Sequence, residues 1–116
     1  MLKDGGVVGH VELQGADPVH RCVQIWRVLV DPAHRGKGVG TALMRAALSI
    51  AFNDLRMHRV ELSVFDFNKP AIACYARVGF RTEGVRREMF KGPDGRRWSE
   101  IVMSILAREW EADKKV

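Results

Sequence analysis

A chain of 116 residues, 47% hydrophobic and 28% charged, is long enough for one domain with a buried core and excludes disorder, collagen-like repeats and coiled coil. Apolar runs are broken by charge well before 18 residues, so no membrane span is expected. The stretch Met1 to Gly6 has no apolar signal core, which makes a cytoplasmic protein the expectation. The net charge of +5 sits in two blocks, residues 31–60 with five Lys and Arg against two Asp and Glu, and residues 77–98 with seven against three. Charge alone leaves a nucleic acid, an anionic small molecule and a solvated face all open.

In chain order, Val7 to Leu13 alternates around Gly9 and predicts a strand, followed by a loop through Gly15-Ala16-Asp17-Pro18. Val23 to Val30 is β-branched-rich and predicts a second strand, antiparallel to the first across a longish connection. Ala33 to Gly40 is a basic, glycine-rich turn. Thr41 to Leu55 carries Leu43, Met44, Ala47, Leu48, Ala51 and Leu55 at helical spacing. Arg59 to Phe65 predicts a strand with Val60, Leu62 and Val64 on one face and Glu61, Ser63 and Phe65 on the other. A helix follows, with Pro70 in its first turn and Gly79 at its end. Arg81 to Phe90 and Trp98 to Leu106 form a hairpin around Gly92-Pro93-Asp94-Gly95. Residues 107–116 are charged and read as a frayed helical tail. The order β-β-α-β-α-β-β predicts a single α/β domain over residues 1–116, with a mixed sheet and a right-handed crossover.

Cys22 and Cys74 belong to no C-x-x-C pair, and His10, His20, His34 and His58 have no ligand spacing, so no metal site is expected. The chemistry concentrates in Arg35-Gly36-Lys37-Gly38-Val39-Gly40. Between a strand and a helix, glycines let several N–H groups converge, the helix adds its positive dipole end, and Arg35 and Lys37 add charge. This is a diphosphate cradle, or else an ordinary glycine-rich turn. A P-loop fails because no lysine precedes Thr41, and a dinucleotide fingerprint fails because Leu43 stands where its third glycine belongs.

Val28 to Leu43, with Arg35, Gly38 and Gly40 in an Arg/Gln-x-x-Gly-x-Gly/Ala pattern, resembles the acetyl-CoA signature of the GNAT N-acetyltransferase superfamily. Asn68, Ala71, Tyr75, Gly79 and Phe80 match its Asn-x-x-Ala-x-x-x-Tyr-x-x-x-Gly-Phe block. Thr82 to Arg87 and the hairpin that follows resemble the branch acting on protein N-termini and small amines. The likeness covers residues 5 to 106. It implies acetyl-CoA as cosubstrate, without a metal, and a primary-amine acceptor. By that resemblance, backbone groups of Leu29 and Val30 pair with pantetheine, and amides of Arg35, Gly36, Lys37, Gly38, Val39, Gly40 and Thr41 hold the pyrophosphate. Asn68 bonds the pantetheine, and Tyr75 protonates the departing thiolate, a role that suits a group still protonated at pH 7. Tyr75 also shares a helix face with Ile72, as a packed aromatic does.

The base has no such match. Relatives place a glutamate where this chain has Gln24 and Ser63, and Glu61, one pleat from Ser63, is the leading candidate, with Glu12 and His10 as others. The superfamily's first strand, two helices and second strand have no counterpart here, which leaves an open edge and acceptor side and predicts a homodimer. Two other readings stay open. One is a non-catalytic acyl-CoA-binding or sensor protein. The other is a basic nucleic-acid-binding module, which lacks an aromatic stacking pattern.

Overall fold

The computed structural model describes residues 2–3, 6–7, 9–30, 33 and 38–114 of the chain. A short antiparallel ribbon, β1 (Leu2–Lys3) with β2 (Gly6–Val7), precedes a five-stranded sheet. That sheet comprises β3 (Gly9–Asp17), β4 (Cys22–Val30), β5 (Arg59–Phe65), β6 (Arg81–Lys91) and β7 (Arg97–Leu106), ordered β3-β4-β5-β7-β6. Helix α1 (Val39–Ser49), continued by a π turn over Ile50–Asp54, joins β4 to β5; α2 (Lys69–Val78) joins β5 to β6; α3 (Ala107–Lys114) follows β7. Among the described residues only β4 and β5 pair in parallel, so the sheet is mixed, as the element order predicts.

Alternation decides what is buried. Val60, Leu62 and Val64 of β5, Val23 and Ile25 of β4, and Met103 and Ile105 of β7 meet Met44, Ala47, Leu48 and Val78 of the helices in one core. Gln24, Glu61 and Ser63 fall on the opposite face, together with Ser104, which stands beside Glu61.

Three expectations change. The β3–β4 connection is a tight turn over Pro18–Arg21 rather than a long loop, because a register shift between Gln14 and Asp17 lets β3 run on through Gly15. Asp17 caps that turn. Its carboxylate accepts the amides of Val19 at 2.8 Å and His20 at 3.1 Å, and those bonds, His20 first, lower its pKa. Next, α1 starts two residues before Thr41 and ends in π geometry, the Leu55 amide reaching back to the Ile50 carbonyl at 2.9 Å. The wider turn carries Leu55 off the buried stripe, leaving it exposed, while Phe52 and Met57 fill the core. Finally, the C-terminal segment is not frayed through Lys114. Trp110 is 4% exposed and lies 6.0 Å from Phe52, centroid to centroid. The Leu106 amide donates to Glu109 at 2.9 Å, and Arg81 pairs with Glu109 at 2.8 Å.

Candidate active site

The parallel ladder between β4 and β5 has three rungs, Cys22 with Arg59, Val23 with Val60 and Gln24 with Glu61, and then stops. Both strands continue, β4 to Val30 and β5 to Phe65, so they diverge into a wedge. A register shift against β3 bends β4 within this stretch: His10 pairs with Leu29 but Glu12 with Trp26, which leaves one extra residue on β4. Among the described residues the β4 edge beyond Gln24 therefore has no strand partner on its β5 side.

At the mouth of the wedge, α1 begins. Its N-cap is Gly38 at φ 78°, with no side-chain cap and no acid in the first turn. A Cβ there would meet nothing within 4 Å, and only glycine takes that φ without strain. The amides of Val39, Gly40 and Thr41 thus point out of an uncapped positive helix end. Arg35, Gly36 and Lys37 lie outside the described residues.

α2 brings in the other signature residues. Asn68 is its N-cap, the side-chain oxygen accepting the Ala71 amide at 3.4 Å, which leaves the amide nitrogen as a donor. Two turns on from Asn68, Tyr75 is 9% exposed and packs 6.1 Å from Phe80. Burial, and after it the Cys74 thiol, raises the Tyr75 pKa above its ordinary value of 10.0. Tyr75 is therefore both a core aromatic and a lining group. The half-buried Cys74 lies 3.5 Å from the Thr41 hydroxyl, linking the two helices.

Two cavities meet here. One, of about 650 Å³, runs past Leu29, Gly38, Gly40, Thr41 and Cys74. The other, of about 460 Å³, opens on the opposite side of the wedge among Gln24, Trp26, Glu61, Ser63, Phe90 and Glu100. Val28, Asn68 and Tyr75 line both. Glu61 reaches this second cavity with one carboxylate oxygen on Arg59, which also pairs with Glu83; Ser104 donates to Glu83 as well. Arg59, then Ser104, depress the Glu83 pKa, and Glu83 in turn raises that of Arg59.

The structure thus brings together Leu29, Gly38, Gly40, Thr41, Asn68, Tyr75 and Glu61. Sequence reasoning misses Trp26, Phe90 and Glu100, because their convergence depends on which residues of β5, β6 and β7 stand side by side. Among the described residues no cluster of three His, Cys, Asp or Glu could hold a metal ion.

A sequence profile of the acetyltransferase (GNAT) family matches residues 1–80. The chain belongs to this family. It is 38% identical over 86 residues to the L-amino acid N-acetyltransferase AaaT of Escherichia coli (strain K12), covering 73% of this chain and 53% of that protein. It is 31% identical over 113 residues to the spermidine N(1)-acetyltransferase of the same organism, covering 97% and 59%. A dodecameric structure of spermidine N-acetyltransferase from Vibrio cholerae superposes with a TM-score of 0.84 at 31% identity, over 91% of this chain and 61% of that one. The GNAT fold is therefore shared, and the chain spans about half to three-fifths of the length of these relatives.

Proposed function

We propose that the chain is an acetyl-CoA-dependent N-acetyltransferase in which a primary amine attacks the thioester directly. The observation that carries this reading is the meeting of the two cavities at Val28, Asn68 and Tyr75. A long ligand in one presents its end to whatever fills the other, which converts a bimolecular encounter into an oriented one. In this reading the pantetheine arm pairs with the open edge of β4 at Leu29 and Val30, as an added strand does. The diphosphate rests on the amides of Gly38, Val39, Gly40 and Thr41, with Arg35, Gly36 and Lys37 completing the cradle. Asn68 donates to the pantetheine, and the Leu29 amide stabilises the oxyanion.

The amine adds to the thioester carbon to form the C–N bond, and collapse of the resulting oxyanion breaks the C–S bond. Tyr75 gives its proton to the leaving thiolate and recovers one from solvent; its raised pKa keeps that proton in place at neutral pH. The amine proton goes to the Glu61 oxygen that Arg59 does not engage, directly or through water.

Titration of the protein with acetyl-CoA in a calorimeter, with CoA and ATP as controls, followed by an amine screen reading released thiol, tests this. Saturable binding of acetyl-CoA and CoA but not ATP, with turnover, supports it; no heat and no competition refutes it. The hold of Arg59 on Glu61 favours a second reading, a non-catalytic acyl-CoA-binding protein, which binding without any turnover identifies.

The cavity around Glu61 is lined in part by Trp26 and Met89, each half exposed. A second copy of the chain covers these side chains in our reading, giving a homodimer, and a clean monomer in light scattering refutes that. In our reading the protein works in the cytoplasm, one compartment that supplies acetyl-CoA.

A further inference from the structure

One rung of the sheet forms an end of the acceptor cavity. Phe65 of β5 stands beside Glu100 of β7, which stands beside Arg86 of β6. Glu100 is 8% exposed, and Arg86 Nη1 donates to its Oε1 at 3.2 Å. A carboxylate that deeply buried requires a cation beside it. The arginine is different: its side chain is 49% exposed, it lines the cavity, and a guanidinium has five donors, more than one carboxylate contact consumes. Glu100 therefore fixes a guanidinium that has donors to spare and lines the space an acceptor enters.

Apart from Gln24, Ser63 and Asn68, the uncharged part of that lining is mostly apolar, with four aromatic rings in it. Trp26, Phe65, Met89 and Phe90 form the walls, and Phe65 packs edge-on against Phe90 with ring centroids 5.5 Å apart. The charged groups of the lining are Glu61, Arg86 and Glu100, and each carboxylate already has an arginine, Arg59 for Glu61 and Arg86 for Glu100. A polycationic amine entering here meets no carboxylate without a cation, and it meets Arg86 itself. An amine that also carries a carboxylate and an apolar side chain finds a partner for each part.

We infer that Arg86 binds the carboxylate of the acceptor, that Glu100 is the residue positioning it, and that the acceptor class is a free α-amino acid with an apolar or aromatic side chain. The inference rests on the acetyl-transfer reading and adds to it which amine is used. A bidentate guanidinium–carboxylate contact is charge-assisted and directional, so it orients the molecule as well as holding it.

The test compares phenylalanine, phenylalaninamide and spermidine as acceptors for the wild-type chain and for Arg86→Leu, Arg86→Lys and Glu100→Gln. The wild type prefers phenylalanine to its amide by about 10- to 100-fold in kcat/KM, the size of a hydrogen bond to a charged group. Arg86→Leu brings that ratio to about one, and Arg86→Lys restores part of it. Glu100→Gln raises KM for phenylalanine far more than it lowers kcat. Equal or better use of the amide or of spermidine by the wild type overturns the inference and leaves the acetyltransferase reading intact. If acetyl-CoA does not bind, that reading falls and the acceptor role with it, and direct calorimetric titration with phenylalanine decides the remaining part of the inference, the Arg86–carboxylate contact. Binding that Arg86→Leu abolishes sustains it, and absence of binding overturns it. If acetyl-CoA binds without turnover, the same titration is run on the CoA-loaded protein with the same two outcomes.

Discussion

Gln24 stands opposite Glu61 in the last rung of the parallel ladder between β4 and β5, and the groove begins where that rung ends. Each strand has its other edge occupied, β4 by β3 and β5 by β7, so the divergence costs only the hydrogen bonds of the wedge itself. The extra residue of β4 opposite His10 to Glu12 bends the strand away from β5. An extended ligand entering the wedge restores the missing bonds.

Replacing Gly38 by valine tests the cradle. Its φ of 78° is strained for any β-branched residue, at about 1–3 kcal/mol, and the new side chain projects from the N-terminus of α1. Calorimetry is expected to show acetyl-CoA affinity falling by roughly tenfold or more. Gly95 has a similar φ of 84° in the β6–β7 hairpin, so Gly95→Val carries the same strain and serves as the control. If both variants lose affinity equally, the cradle assignment fails.

Tyr75→Phe removes one hydroxyl and keeps the packing against Phe80. As the proposed acid, its loss lowers kcat by about 10²- to 10⁴-fold while acetyl-CoA binding changes little. Burial favours the neutral phenol, so the folded pKa lies above the ordinary 10.0. The alkaline decline in kcat set by this group therefore falls above pH 10.0. The matching stability contribution is whole below the unfolded pKa and is lost as pH rises through the folded one. A wild-type kcat profile that falls well below pH 10.0 and loses this limb in Tyr75→Phe contradicts the raised pKa.

The Arg59–Glu83 pair carries the opposite dependence on pH. Arg59, then Ser104, hold the Glu83 carboxyl below its ordinary 4.5. Its contribution is therefore present above pH 4.5 and disappears as pH falls through the lowered folded value. Because the Glu83 side chain is 41% exposed, solvent screening limits the effect to about 0.5–1 kcal/mol. Urea unfolding should find Glu83→Gln weaker than wild type by that amount at pH 7, with the gap closing in acid. A gap that persists in acid would trace to packing instead.

Local pattern made much of this legible. The face of α1 from Leu43 to Leu48, the alternation of β5, helix α2 between its caps Asn68 and Gly79 and the hairpin around Gly92 to Gly95 follow from spacing within a single element. The signature residues Gly38, Asn68 and Tyr75 line one cavity, since each sits at the start or on one face of such an element. What sequence could not supply was set between elements. Placing Phe65, Glu100 and Arg86 on one rung requires the registers of β5, β7 and β6 together, with the register shift of β6 between Arg86 and Phe90. The divergence at Gln24 and the exposure of Leu55 beyond the π turn likewise depend on partners far away in the chain.

Trp110 is the sharpest such case, because charge on either side of it hid a buried anchor. Residues 107–116 are mostly polar, and no apolar periodicity marks them as a docked helix. Yet Trp110 joins the core against Phe52, itself buried at the π turn. Removing the indole leaves a cavity that two rigid elements cannot close, so Trp110→Ala is expected to cost about 3–5 kcal/mol in chemical denaturation. Trp110→Phe keeps most of the contact and loses less. If instead Trp110→Ala unfolds at the wild-type denaturant midpoint, α3 contributes nothing to the core and the expected frayed tail describes the protein in solution.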